Sequence, residues 1–202
     1  MNYDLVLAEM EDFIGLFFDK HAHQSHAFHN RAHLDEVVAA VEEIADFYKL
    51  AAEHRFILKS AAYFHDIAYI AEGPDGHEWK SARMAKEFLA SFSLPTPVVQ
   101  SVENCIMATR NKQHPNTFLE AILCDADLVH IGKENFEECN LNRYVEILNL
   151  RHREFDSGVW MAISLHFLQQ HQFYTHYVRA KYESGKQKNI RSLKQKLQYD
   201  TV

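Results

Sequence analysis

Glycine and proline are scarce in this chain, six and four in 202 residues, and most of them stand together at GPDG (73–76), LPTP (94–97) and HP (114–115). These are the residues that most strongly punctuate helices, so long helical runs are permitted between the three breaks. The apolar spacing agrees. Leu7, Met10, Ile14 and Phe17 recur on one face of a first helix, and Val37, Val41 and Ile44 on one face of a second, with His33 one turn before Val37. Phe56, Leu58 and the run 61–68 predict a third helix that is buried over most of its surface. Three more are predicted over 82–92, 98–109 and 118–128, and several across 134–198. No stretch alternates apolar and polar residues as a half-buried strand does, and no segment repeats. The expected fold class is all-α, a single helical bundle over residues 1–182. A basic amphipathic helix or tail over 183–202 follows, with Ile190, Leu193 and Leu197 on one face. Docking of that segment is expected ahead of a role as a membrane or nucleic-acid arm.

An apolar content of 47% over this length is ample for a core without disulfides. Cys105, Cys124 and Cys139 are odd in number and lie in apolar or helix-like surroundings, which predicts a reducing, cytoplasmic setting. The start, MNYDLVLAEMEDF, has no basic leader region, and no apolar run approaches about 18 residues, so neither a signal peptide nor a membrane span is expected. A net charge of −7 argues against duplex nucleic acid as a partner. A small phosphorylated substrate stays compatible with it, and a homodimer is left open.

The polar residues that stand out do so against apolar surroundings. HAHQSHAFHNRAH (21–33) holds five histidines in thirteen positions. It reads as a chelating tract, as a solvated turn between helices, or as one true ligand among bystanders. AAYFHDIAYI carries His65 and Asp66 inside an otherwise apolar helical run, where two adjacent polar side chains are costly to bury unless something satisfies them. Neighbours on a helix point about 100° apart, so the pair can grip an ion from two directions but cannot line one face. AILCDADLVHIG adds Asp125 and Asp127, which diverge around a helix, so at most one of them is expected to aim at the same point. With His33 these residues make a mixed imidazole and carboxylate set. It suits a divalent ion (Mn, Mg, Fe, Ni, Co or Zn) with positions left for water and substrate.

FHNRAHLDEV, AAYFHDIAYI and DADLVHIG in that order resemble the HD superfamily of metal-dependent phosphohydrolases. GHEWKSARMAKEFL, LRHREF, FLQQHQFYTHYVRAKYE and NIRSLKQKL resemble the rest of one small bacterial HD family, so the likeness runs from about residue 10 to 198. The resemblance implies His33, His65, Asp66 and Asp127 as the ligands, with Asp127 rather than Asp125 as the last. It also implies hydrolysis of a small phosphorylated molecule, a nucleotide among the candidates, by metal-activated water. The chain departs from the pattern twice: Phe28 stands where relatives usually have tyrosine, and His77-Glu78 where many have Asn-Glu.

Beyond the quartet, Asp66 and Glu78 are the catalytic candidates. Glu78 reads either as a general acid or water-positioning base, or as a first-turn carboxylate favoured by the helix dipole. His29, Arg110 and His114 are the candidate substrate-binding residues, while His21, His23 and His26 are expected in a solvated connection. Arg153 and Glu154 read as a surface ion pair. Phe167, Phe173, Tyr174 and Tyr177 read as core, and Cys124 as a buried thiol. Two other classes of function remain: a non-catalytic ligand-binding or regulatory module, and a di-iron HD oxygenase. The latter needs further histidine ligands, for which His77 and His114 are the candidates.

Overall fold

The computed structural model of the chain describes residues 2–21, 26–111, 114–151 and 156–199. Helices follow one another along it: α1 (Tyr3–His21), α2 (Arg31–Phe47), α3 (Ala52–Phe64), α4 (Ile67–Glu72), α5 (His77–Leu89), α6 (Thr96–Ala108), α7 (Phe118–Asp127), α8 (Phe136–Arg151), α9 (Ser157–Gln170) and α10 (His176–Tyr199). Short 3-10 turns at Thr109–Asn111 and Val129–Gly132 follow α6 and α7. The described residues contain no strand, so the fold is an all-α bundle.

Side-chain caps start the helices that matter for the site. Asn30 Oδ1 accepts the His33 backbone N–H at 3.1 Å to open α2, and Thr117 Oγ1 accepts that of Glu120 at 3.2 Å to open α7. Glu120 returns the favour by accepting the Asn116 N–H at 2.7 Å, so two otherwise orphaned donors are satisfied together. The bundle is built around α3, which packs against α1, α2, α5, α6 and α7. Phe56, Leu58, Ala61 and Phe64 are essentially inaccessible there, and Met10, Ile14, Val37, Val41, Ile44, Val102 and Ile106 close around them. In α1 the fully buried stripe is Val6, Met10, Ile14 and Phe18, with Leu7 and Phe17 at its edge.

One expected element is corrected. The run 61–68 is not one helix, because α3 stops at Phe64 and α4 begins at Ile67. Between them Asp66 lies at φ −116°, ψ 10°, outside the helical region. The Tyr69 N–H bonds the Asp66 carbonyl at 3.0 Å and so starts the new helix. The interruption falls on the His-Asp pair itself.

At the other end, α10 runs unbroken through residues 182 and 183, where the sequence suggested a boundary. Tyr182, Lys186, Ile190 and Leu193 follow helical spacing and are all buried, so the segment is a docked part of the bundle. The Lys186 ammonium is satisfied by the His171 carbonyl at 2.8 Å and the Glu183 carboxylate at 2.9 Å. α10 seats on the turn Val129–Gly132 so closely that a Cβ on Gly185 would fall 1.9 Å from the Gly132 carbonyl oxygen. Only glycine fits there. No helix among the described residues is long and apolar enough to cross a membrane.

Candidate metal centre

Three helix ends converge on one point. His33 sits in the first turn of α2, fixed by the Asn30 cap. His65 closes α3 with its Nδ1 on the Ala62 carbonyl at 2.8 Å, which turns Nε2 inward. Asp66 follows in the break, and Asp127 is the last residue of α7. The break resolves the difficulty that adjacent helical residues diverge, since outside helical geometry His65 and Asp66 address the same point.

Each of the four residues offers a donor atom, and these atoms lie within 4.8 Å of one another. The separations are 3.1 Å from His65 Nε2 to Asp66 Oδ2, 3.3 Å from His33 Nε2 to Asp127 Oδ1, 3.7 Å from His33 Nε2 to Asp66 Oδ2 and 3.8 Å from His65 Nε2 to Asp127 Oδ1. Donors each about 2.1 Å from a common ion stand roughly 3.0–3.4 Å apart, so small side-chain adjustments suffice to bind one. Beside His29, His33, His65 and Asp66 lies a hole of about 10 Å3, room for one water-sized occupant.

The hydrogen-bond inventory tests whether an ion belongs there. His33 Nδ1 and Nε2 are buried and make no hydrogen bond, and buried His65 Nε2 has only carboxylates near it, Asp66 at 3.1 Å and Asp127 at 3.8 Å. Orphaned imidazole nitrogens in a dry site are costly, and an ion removes that cost for the two Nε2 atoms. The charges point the same way. Burial alone would lower the His65 pKa, but Asp66 and Asp127 outweigh it and raise it to about 9. Burial would raise Asp66, yet His65, His29 and His77 hold it well below the usual carboxylate range. The ionised Asp66 and the neighbouring Asp127 carboxylate thus face a pocket that favours a cation. The residues fit a divalent metal.

A layer of contacts holds this quartet. His29 touches Asp66 at 3.6 Å but is engaged elsewhere. Its Nδ1 donates to the Glu146 carboxylate, and its Nε2 accepts the Arg143 guanidinium at 2.6 Å, which leaves no lone pair for an ion. Burial, followed by Arg143, lowers the His29 pKa to about 4, consistent with a neutral ring. Glu146, on α8 and wholly buried, also accepts the backbone N–H groups of Phe28 (3.0 Å) and His29 (2.8 Å). Burial would raise its pKa, but the His29 contacts outweigh this and bring it to about 2. Tyr69 lies over the His29 ring at 3.8 Å between centroids.

On the other side His77 donates Nδ1–H to the Pro74 carbonyl at 2.9 Å and presents Nε2 to Asp66 Oδ1 at 3.2 Å. Burial disfavours its charge, but Asp66 prevails and raises its pKa. Glu78 lies 3.6 Å from His77 Nδ1, so its path to the centre runs through that imidazole. His130 donates to the Asp127 carbonyl at 3.1 Å and packs against Phe28, which in turn packs on His33.

A cavity of about 350 Å3 adjoins the centre, with Asp127, His29, His130 and Arg143 in its wall. Arg110 and His114 do not line it. Both are exposed, Arg110 in the turn after α6 and His114 just before Pro115, so the structure assigns neither to the pocket the sequence suggested. His21 ends α1 stacked on Phe17, and His26 meets the edge of Tyr69. His23, Arg153 and Glu154 lie outside the described residues. Asp125 is fully buried and turned away from the quartet, accepting the N–H groups of Tyr174 (2.9 Å) and Thr175 (2.7 Å) just before α10. Of the four aromatics read as core, Phe173 is buried and Tyr174 and Tyr177 partly so, while Phe167 is 38% exposed in the cavity wall.

Glu146 and Arg143 were not singled out from sequence. The available signal was an acid between Val145 and Ile147 with an arginine one turn earlier, the same polar-in-apolar cue that marks the dyad. No family model matches the chain, and no curated protein or solved structure matches it.

Proposed function

We propose that the chain is an HD-type metal-dependent phosphohydrolase acting on a small phosphorylated molecule. The observation that carries this reading is the convergence of His33, His65, Asp66 and Asp127 with unsatisfied imidazole nitrogens, beside a cavity large enough for a ligand. Two imidazoles and two carboxylates suit Mn, Fe, Co, Ni or Zn, with Mg the hardest of the candidates. A divalent ion held there supplies Lewis acidity toward a phosphoryl oxygen and a water of lowered pKa.

The protein's own groups divide the remaining work. Arg143 places a permanent cation in the cavity wall, where it offsets charge on the phosphoryl oxygens as they become more negative. Asp66, held between His65 and His77, would serve as a ligand and keep the attacking water in line. His77, protonated, directs its Nε2–H toward the centre as the proton donor, and Glu78, on the Nδ1 side, stabilises the charged ring. His29, locked by Glu146 and Arg143, positions the guanidinium.

Metal analysis of purified protein should find one transition-metal ion per chain. Phosphate release from a panel of phosphate esters and nucleotides should stop with chelator, return with Mn, and be lost in Asp127→Asn. Equal metal in Asp66→Ala and the parent protein would overturn the ligand assignment.

A further inference from the structure

We infer that the cavity beside the metal centre receives an apolar alcohol moiety, so that the substrate is the phosphate ester of an aromatic or short branched-alkyl alcohol. The inference rests on the phosphohydrolase reading for the phosphate end and on the cavity wall for the rest.

The wall is sharply divided. Asp127, His29, His130 and Arg143 gather where the cavity meets the metal centre, while Phe136, Ile147, Trp160, Ile163, Phe167 and Leu168 form much of the remainder. Polar groups do occur in that part, but they satisfy one another. Trp160 Nε1 donates to the Asn140 carbonyl at 3.1 Å, and Ser164 Oγ donates to Asn140 Oδ1 at 2.9 Å. What remains in that part is the Asn140 amide nitrogen and the Cys139 thiol, a weak hydrogen-bonding group, enough for a hydroxyl or ether oxygen. A nucleobase and ribose carry many donors and acceptors, which would be stripped of water without replacement partners. An aromatic ring or a branched alkyl group meets no such penalty and gains from burial against these side chains.

Exposure adds a second, independent observation. Ile163 and Phe167 are 52% and 38% exposed although both line the cavity, so its wall includes uncovered apolar surface. An apolar ligand seated there covers it. At about 350 Å3 the cavity is at the small end of ligand sites, matched to one ring or a few carbons beyond a phosphate.

The chain has two tryptophans, and Trp79 is exposed on α5, outside the cavity wall. Trp79→Phe therefore leaves Trp160 as the reporter. Non-hydrolysable phosphonates are titrated into this protein, with and without Mn, by Trp160 fluorescence and calorimetry: methyl, propyl, isobutyl and benzyl phosphonate, and ribose 5-phosphonate. Affinity should rise about threefold to fourfold per added methylene. Benzylphosphonate should bind at least about 10-fold tighter than the ribose compound and shift Trp160 emission to shorter wavelength. Ile163→Asp should flatten the chain-length dependence, and Phe167→Ser, a milder change, should do so in part. Affinity independent of chain length, or ribose 5-phosphonate binding as tightly as benzylphosphonate, would overturn the inference.

Benzyl alcohol added to metal-free protein separates this from the parent reading. A Trp160 response to it in a protein that binds no metal leaves the apolar cavity standing while the phosphohydrolase reading falls. Metal-dependent phosphate release that ignores the alcohol leaves that reading standing and overturns this one.

Discussion

The two walls that meet at Asp127 are built in opposite ways. On the side of α2 to α7 the ligands are embedded in the densest part of the bundle: every residue of α3 from Ser60 to Phe64 is buried, and so is every residue of α7 from Glu120 onward. On the side of α8 and α9, burial is sparse. Phe136 and Glu146 are the fully buried residues of α8 whose side chains are described, and Ser164 and Leu168 those of α9. Leu141, Val159 and Ile163 are more than half exposed. Metal ligands tolerate errors of only a few tenths of an ångström, and close packing is what supplies that tolerance. Apolar recognition needs volume and surface rather than fixed directions, and loosely packed helices provide it. On the proposed function, the chemistry falls in the densely packed half and the selectivity in the loosely packed one, with Glu146 as the bolt between them.

The strongest way to break this division is at the dyad. His65→Ala and Asp66→Ala should remove the ion and lower turnover by about 10⁴-fold or more. A trace of activity with full metal content would place the chemistry elsewhere. Next comes the proton path. Glu78→Gln should keep metal occupancy while kcat falls by about 10²-fold, with one limb of the pH–rate profile lost, because glutamine cannot titrate. Near-normal kcat in Glu78→Gln beside a severe loss in His77→Ala would assign the proton to the imidazole alone. Near-normal kcat in both would remove this path.

Glu146 sharpens the comparison directly, since it belongs to the loosely packed half yet holds the turn that leads to His33. Glu146→Gln should weaken metal binding by about 10–100-fold, as removal of a supporting partner does. Its pKa is depressed in the folded state, so the stability it contributes is fully present above about pH 4.5 and lost as pH falls through about 2. Acid-unfolding curves should show that increment disappear in the variant. An unchanged acid limb would mean the carboxylate carries no folded-state advantage. The smallest effect is expected at the bystander histidines. His21→Ala, His23→Ala and His26→Ala combined should leave metal content unchanged and shift stability by no more than about 0.5 kcal/mol.

The densely packed half is also the half the sequence exposes to view. Helix periodicity around Met10, Val37 and Phe56, and polar residues stranded in apolar runs at His65 and Asp66, are local signals, and the packing that follows from them is dense. The interruption at Asp66 carries no such mark. Alanine, isoleucine and tyrosine on either side are compatible with a continuous helix, so only the tertiary context reveals it. Asp125 and Asp127 could not be told apart by residue type, because what separates them is the arrival of residues 174 and 175 at Asp125. Arg110 and His114 were drawn to the pocket by their place in the chain between the dyad and Asp127, and chain order says nothing about which end of the bundle a turn faces. The loosely packed half was least legible, since α8 and α9 spread their apolar residues around the helix and announce no buried face.

The seating of α10 bears on the turn that follows Asp127. Asp127 lies between two points that this helix secures, the Asp125 carboxylate below Thr175 and the Gly132 backbone against Gly185. Every ligand precedes α10 in the chain, and at about 5–20 residues per second the ribosome delivers that helix several seconds after Asp127. An ion that meets the growing polypeptide finds four donors without a cradle. For the proposed metal centre, loading is therefore expected to follow the docking of α10 on the turn after Asp127.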